Sequence, residues 1–170
     1  NVIHYLAFWA TNMRRAQLFL LNWVKSTSKP ECRSATPRAI QFFKLDPQKK
    51  TLLIVGGSLG AQSVNNAVLE NISQFLDLGV QIVWQTGKTS YSEIDMATRD
   101  FASQGVHVDE FIYKMDLGYA AADMVISRAG AIAVSELSLV AKPTILVPFP
   151  YAAEDHQTKN AMSLVEKSAA

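Results

Sequence analysis

The 170-residue chain is poor in the residue types that build disulfide frameworks, metal sites and nucleic-acid surfaces. It contains one cysteine, Cys32, and three histidines, His4, His107 and His156. A single cysteine excludes an internal disulfide and a multi-cysteine zinc site, and it favours a reduced, cytosolic setting. The formal net charge is only +1, which gives no electrostatic reason to expect a nucleic-acid partner. No histidine falls in a Ser/His/Asp or Cys/His order, so no metal, cofactor or nucleophilic triad is predicted.

The first 24 residues lack both an uninterrupted apolar span and a leading positive charge. Two apolar runs, residues 2–10 and 16–21, flank Arg14 and Arg15. The arginine pair interrupts the roughly 20 apolar residues that a membrane-spanning helix needs. It also follows the apolar run, whereas a signal peptide carries its charge first. Three interpretations stay open: a buried or partner-facing helix, an interfacial helix in peripheral contact with a membrane, and a segment foreign to the fold.

Residues 25–50 are rich in polar residues and contain Pro30, Pro37 and Pro47. They are interpreted as a linker with one short helix at residues 39–44. Residues 1–50 are thus assigned to an apolar helical segment and a linker. The chain begins with Asn1 and ends with Ala170 inside a helical pattern, so we interpret it as a piece of a longer protein, truncated at its C-terminus.

From Thr51 onward, apolar runs alternate with helical patterns five times, which predicts one domain over residues 51–170. Strands are predicted at residues 51–55, 80–85, 106–112, 124–127 and 143–147. Helices are predicted at residues 63–78, 91–103, 116–122, 131–140 and 155–170. Continuous apolar strands are typical of sheets covered on both faces. The pattern therefore predicts an α/β fold with a Rossmann-like, doubly wound parallel sheet, whose ligands bind beyond the carboxyl ends of the strands.

The first motif at that rim is GGSLGA, residues 56–61, between a predicted strand and a predicted helix. Glycines allow close backbone approach, and the start of the next helix is a natural anion site. The motif is not GxGxxG and lacks the lysine of a P-loop, so neither NAD binding nor ATP hydrolysis is indicated. A purely structural turn remains the alternative.

The second motif is SRAGAIAVSE, residues 127–136, in which a glycine turn again leads into a helix. The amides of residues 131–133 can face a phosphate, and Glu136 can either act as a helix-dipole partner or accept from ribose hydroxyls. The third motif is EDHQT, residues 154–158, which either caps the last helix or contacts sugar hydroxyls. Both alternatives stay open for each motif.

Five segments, in this order, resemble the C-terminal domain of the MurG family, the N-acetylglucosaminyltransferases of bacterial peptidoglycan synthesis. They are AIQFFKLDPQKKTLLIVGGSLGA, WQTGK, EFIYKM, ADMVISRAGAIAVSEL and KPTILVPFPYAAEDHQTKNAM, within residues 39–170. Residues 1 to about 36 do not match the family. KPECRSATPR stands where the family has Gly-Asn-Pro-Val-Arg, so the phosphate-contacting arginine of that segment is not carried over.

The resemblance implies the C-terminal half of a two-domain GT-B glycosyltransferase that binds UDP-N-acetylglucosamine. Ser58 would contact phosphate or ribose, the backbone of Ile112 would read uracil, and Glu136 would hold the ribose hydroxyls. Gln157 would reach the N-acetylglucosamine, with His156 adjacent. The diphosphate would lie on the amides of Ala131, Ile132 and Ala133, within a binding set completed by Gly57, Gly130, Val134 and Ser135. Many family members have a hydroxyl residue where this chain has Ala133, which puts one phosphate contact in doubt.

The implied function is inverting transfer of N-acetylglucosamine to lipid-linked muramyl-pentapeptide, at the cytoplasmic face of a bacterial membrane. In the family, an N-terminal domain supplies the general base and binds the acceptor. Nothing in residues 1–50 resembles that domain, so the isolated fragment is expected to be inactive. The alternative is a non-catalytic UDP-sugar-binding subunit or fragment that needs a partner domain.

Overall fold

The computed structural model describes residues 5–7, 36–57, 60–149 and 156–166. The strands are β1 (Tyr5–Ala7), β2 (Lys50–Val55), β3 (Val80–Gln85), β4 (Val106–Asp109), β5 (Met124–Ser127) and β6 (Thr144–Leu146). The helices are α1 (Pro37–Phe42), α2 (Gln62–Glu70), α3 (Ile72–Asp77), α4 (Tyr91–Thr98), α5 (Met115–Ala121), α6 (Ala131–Val140) and α7 (His156–Glu166). A 3-10 helix, Arg99–Gln104, lies between α4 and β4.

The strands form one sheet in the order β1-β6-β5-β2-β3-β4, and all neighbouring pairs are parallel. The chain runs from β2 to β3 and β4 on one side, and then returns to place β5 and β6 on the other side of β2. This reversal confirms the predicted doubly wound α/β class. It also creates a topological switch point between β2 and β5, where such sheets bind ligands.

Both faces of the sheet are covered, which explains the continuous apolar strands. In β2, Leu52, Leu53 and Ile54 are all fully buried. Leu53 packs in a core with residues of α1, α5, α6 and α7, whereas Leu52 and Ile54 pack on the opposite face with residues of α2, α3 and α4. Because successive side chains of a strand point to opposite faces, one short apolar run supplies both cores.

Two predicted helices are each divided in the structure. The predicted helix at residues 63–78 is broken at Asn71, whose side-chain Nδ2 donates to the Ala67 carbonyl at 2.8 Å. The predicted helix at residues 91–103 changes to a 3-10 helix after Thr98, whose hydroxyl donates to the Ile94 carbonyl at 2.7 Å. In both cases a short polar side chain competes for a helical carbonyl, an effect that apolar periodicity does not reveal.

The N-terminal half of the chain differs from its prediction at two places. Tyr5–Ala7 is a strand that pairs with β6 at the edge of the sheet, so the helix expected there is wrong for these three residues. A short apolar run fits a helix or a strand equally well, and edge pairing decides. The rest of residues 1–24, with its membrane-helix alternative, lies outside the described residues. Among the described helices, none has the length and apolar character needed to cross a bilayer.

Residues 36–50, grouped with the linker on the sequence, are packed into the domain. The Thr36 side chain caps α1 by accepting from the Ala39 amide at 3.3 Å. Ala39, Phe43 and Leu45 are buried in the core that α5 and α6 share. The described part of the domain therefore includes α1 and the turn that leads into β2.

Candidate functional site

Two glycine turns lie side by side at the switch point of the sheet. Val55 at the end of β2 is in register with Ser127 at the end of β5. The turn after β2 starts with Gly56 and Gly57, and Gly57 is exposed with φ +82°. The turn after β5 leads through Gly130 into α6. The structure thus brings the first and second sequence motifs together, although about 70 residues separate them along the chain.

The N-terminus of α6 has the features of an anion site. Gly130 is its N-cap, and in the part of the chain that the structure describes no side chain caps the helix by a hydrogen bond. The first bond within the helix is donated by Val134 to the Gly130 carbonyl at 2.9 Å. The amides of Ala131, Ile132 and Ala133 therefore precede the hydrogen-bonded ladder, and together they carry the positive end of the helix dipole. Among the described residues, a Cβ added at Gly130 would meet nothing within 4 Å, so none of them crowds the N-cap position.

Of the other residues predicted on α6, Glu136 has a side-chain hydrogen bond to another described element. The Glu136 carboxylate accepts a hydrogen bond from the Tyr119 hydroxyl on α5 at 2.9 Å. Burial raises the pKa of the Tyr119 phenol, and the hydrogen bond to Glu136 raises it further, so the phenol remains a donor at neutral pH. The Ser135 hydroxyl donates to the Ala131 carbonyl at 2.9 Å, and Val134 packs against the core. Glu136 is thus fixed by a contact between α6 and α5.

Ile112 lies at the rim beyond β4 and has a buried side chain. Its backbone amide donates to the Oε1 atom of Gln85 at 3.0 Å, and Gln85 is itself buried at the end of β3. The amide predicted to read uracil therefore already has an intramolecular acceptor. On either side of Ile112, Phe111 and Tyr113 expose their rings, which contact each other edge to face at 5.1 Å between centroids.

The start of α7 lies close to the turn that precedes α6. The Gln157 Oε1 atom accepts from the Phe149 amide at 2.9 Å, and Asn160 donates to the Ala129 carbonyl at 3.1 Å. His156 is the first residue of α7 and is exposed. The second and third sequence motifs are thus joined by α7. Ser58 and the predicted residues 154 and 155 of the third motif lie outside the described residues.

Arg128 is a residue at this rim to which the sequence assigned no role. Its Nη1 atom donates to the Val147 carbonyl at 3.2 Å and the Pro148 carbonyl at 3.0 Å. Its Nη2 atom donates to the Ser63 hydroxyl at 3.0 Å, and the guanidinium lies 5.5 Å from the centroid of the Phe149 ring. Burial lowers the pKa of Arg128, although arginine stays charged in proteins. The Arg128 side chain thus links the end of β5 to α2 and to the segment after β6. In the sequence it is marked only by being a charged residue directly after a buried strand.

The buried side chain of Asn65 connects the turn that follows β2 to the end of β3. The Asn65 Nδ2 atom donates to the Thr86 carbonyl at 2.8 Å, and its Oδ1 atom accepts from the Trp84 indole at 3.1 Å. Gly60 has φ +86° and lies so close that an added Cβ would overlap the Thr86 carbonyl oxygen. Only glycine combines this φ with this close approach. The glycine turn is therefore held against the end of β3.

The fold and the rim define the class of this protein: a doubly wound α/β domain in which a helix begins at a glycine N-cap at the switch point of the sheet. The family described as glycosyltransferase family 28 C-terminal domain matches residues 51–170. The chain belongs to this family.

Sequence relatives support the same assignment. The chain is 49% identical, over 140 residues, to a protein of Parabacteroides distasonis, and 53% identical, over 133 residues, to a protein of Phocaeicola vulgatus. Both relatives are named UDP-N-acetylglucosamine–N-acetylmuramyl-(pentapeptide) pyrophosphoryl-undecaprenol N-acetylglucosamine transferase. These matches cover 82% and 78% of this chain but only 38% and 35% of the relatives. The chain thus spans little more than a third of the length of the curated relatives it matches.

A solved structure is also similar. The crystal structure of MurG from Acinetobacter baumannii superimposes with a TM-score of 0.63 at 32% sequence identity. The superposition covers 75% of this chain and 37% of that chain.

Proposed function

We propose that this chain is the donor-binding half of a glycosyltransferase that moves N-acetylglucosamine from UDP-N-acetylglucosamine to lipid-linked muramyl-pentapeptide. The observation that carries the proposal is the start of α6 at the switch point, where Gly130 is the N-cap, together with Glu136 on the same helix held by Tyr119. The names of the two relatives supply the donor and the acceptor. A lipid-linked acceptor would place the reaction at the cytoplasmic face of a bacterial membrane, with peripheral attachment.

In this proposal the nucleotide lies across the rim. The diphosphate binds the amides of Ala131, Ile132 and Ala133, and Glu136 accepts from the ribose hydroxyls. Ser58, which follows Gly57 in the sequence, contacts the phosphate or the ribose. Contacts of a nucleoside diphosphate with a helix N-terminus need no metal, since backbone N–H groups and the helix dipole both favour negative charge.

The two remaining contacts of the proposal need a rearrangement, because each group has an intramolecular partner. Uracil can reach the Ile112 amide only if the Gln85 side chain releases it. Gln157 can turn to the sugar hydroxyls only if it releases the Phe149 amide, with His156 beside it. In the first exchange the Ile112 amide gains uracil as its acceptor, but the buried Gln85 Oε1 atom loses this donor, at a cost of about 1–3 kcal/mol. This cost lowers the net binding free energy of the nucleotide. The Gln157 exchange takes place at an exposed hydrogen bond and costs less.

The same geometry would assist the chemistry. Transfer breaks the bond between the sugar C1 and the β-phosphate oxygen, while C1 bonds to the acceptor hydroxyl oxygen with inversion. The acceptor proton passes to a general base, which the proposal assigns to a second domain outside this chain. The electron pair of the broken bond stays on UDP, where the α6 amides stabilise it. One such preorganised donor is typically worth about 3 kcal/mol of transition-state stabilisation.

Replacement of Glu136 tests the proposal directly. Glu136→Ala removes the acceptor for the ribose hydroxyls, and hydrogen bonds to a charged group contribute about 1.5–3 kcal/mol each. We expect the affinity for UDP, measured by titration calorimetry, to fall about tenfold or more. Glu70→Ala is the matched control, since Glu70 is an exposed glutamate at the last residue of a different helix, α2. A loss of less than about threefold, well under one 1.4 kcal/mol decade, would contradict the ribose role.

A non-catalytic donor-binding module that needs a partner domain is the second candidate, because the family that matches residues 51–170 is described as a C-terminal domain. Both candidates predict UDP binding without transfer by this chain alone. They differ when the N-terminal domain of a relative is added as a separate protein. Restored transfer would favour a module that works with a partner, and continued inactivity would favour a half that must be covalently joined.

A further inference from the structure

The Glu136 carboxylate is held by a donor on a different helix. Tyr119 lies on α5, and its side chain is 7% exposed, within the core that α5 and α6 share. Its hydroxyl donates to Glu136 Oε2 at 2.9 Å. A buried residue of α5 thus holds the carboxylate of an exposed residue of α6.

We propose that Tyr119 is a positioning residue for nucleoside recognition, which orients the Glu136 carboxylate toward the ribose hydroxyls. The inference rests on the proposed function, because it assigns a role to a group that acts on the UDP ribose only through Glu136. One carboxylate oxygen is held by the phenol. The carboxylate keeps its second oxygen and further lone pairs for the two ribose hydroxyls.

A glutamate needs such a support at this position. Glu136 is exposed on the second turn of α6, and an exposed glutamate samples many rotamers. Ordering one such side chain on binding weakens the affinity about two- to tenfold. A carboxylate that is already held by the phenol has lost that freedom before the ligand arrives. The gain appears in the affinity for ligands that carry ribose hydroxyls and not in the affinity for other ligands.

The Tyr119 hydroxyl remains a hydrogen-bond donor around neutral pH. Burial and the neighbouring carboxylate both raise the pKa of the phenol above its ordinary value of 10.0. The hydroxyl therefore keeps its proton at neutral pH and cannot repel the carboxylate by ionising. No protonation change is needed for the support to act.

The test is Tyr119→Phe, which removes the hydroxyl and leaves the ring that packs in the core. Binding of UDP and of 2′,3′-dideoxy-UDP to the full chain is measured by calorimetry for the wild type and the variant. We expect UDP to bind about three- to tenfold more weakly to the variant. The dideoxy ligand, which offers Glu136 no hydroxyl, should bind both proteins with equal affinity. Tyr91→Phe, at the start of α4, controls for the loss of a phenol elsewhere.

Two further measurements separate positioning from a general structural effect. The double variant Tyr119→Phe/Glu136→Gln should bind UDP no more weakly than Glu136→Gln alone, because the phenol acts only through the carboxylate. An equal loss for UDP and the dideoxy ligand, or unchanged UDP affinity in Tyr119→Phe, would overturn the inference while leaving the proposed function intact. Failure of the wild-type chain to bind UDP at all would overturn the proposed function and this inference with it.

Discussion

Asn65→Ala is expected to lower the free energy of unfolding by more than a substitution at an exposed position of the same helix does. Asn65 is 1% exposed, and its two hydrogen bonds go to groups of Trp84 and Thr86, both 0% exposed. Alanine removes both bonds and leaves a buried indole N–H and a buried carbonyl without a partner from this side chain. The neighbouring turn at Gly60 would also lose the support that holds it against Thr86.

The size of the expected loss of stability follows from the two buried groups, the Trp84 indole N–H and the Thr86 carbonyl, that lose their partner. A buried donor or acceptor that loses its partner costs about 1–3 kcal/mol. Two such groups set a range of about 2–6 kcal/mol, and a water that enters the space of the lost amide reduces the upper end. We therefore expect a loss of about 2–4 kcal/mol in the free energy of unfolding. For a chain of this size each kcal/mol lowers the Tm by roughly 2–4 °C.

Asn66 provides a matched control in the same helix. It is the same residue type, one position along α2, and it is exposed. Asn66→Ala should change the free energy of unfolding by less than about 0.5 kcal/mol, since alanine is a good helix former and no buried group is orphaned. Urea unfolding followed by circular dichroism measures both variants. If Asn65→Ala falls within about 0.5 kcal/mol of Asn66→Ala, the orphaned-group reasoning is refuted.

Two further predictions concern the rim. Arg128→Lys should lower the free energy of unfolding by about 1–3 kcal/mol, because one ammonium cannot span the acceptors on Ser63, Val147 and Pro148. Arg99→Lys, in an exposed pair with Asp95, should change the same quantity by only about 0.5 kcal/mol; equal effects would contradict the prediction. The raised pKa of Tyr119 means that its contribution is complete below pH 10 and is lost as the pH rises, because only the unfolded phenol ionises there. Urea midpoints between about pH 9 and 11 should fall more steeply for the wild type than for Tyr119→Phe; parallel curves would contradict the shift.

The elements that the sequence predicted best are those whose boundaries depend on local features. β3, β5 and α6 begin and end at the predicted residues. Each strand is a short apolar run with a glycine or polar end, and α6 begins directly after Gly130 and ends where Ala141 adopts a left-handed φ of 50°. The position of the rim was predictable for a different reason: the carboxyl ends of parallel strands must share one edge of the sheet.

The state of each candidate contact was not predictable, because hydrogen-bond partners at the rim come from distant parts of the chain. Ile112 and Gln85 are 27 residues apart, and Arg128 and Ser63 are 65 residues apart. No periodicity or spacing relates such pairs before the chain has folded. The roles of Ser58, Ile112, Glu136 and Gln157 in donor binding therefore remain predictions for the experiments above.

The amino-acid sequence by itself determined the α/β order of elements, the edge of the sheet that carries the polar groups, and the family to which the chain belongs. These depend on apolar runs, glycine positions and local motifs, which act over a few residues. Only the tertiary structure decided that Tyr5–Ala7 joins the sheet, that Gln85 occupies the Ile112 amide, and that Tyr119 supports Glu136. These features depend on which donors and acceptors meet when strands and helices from distant positions pack around one core.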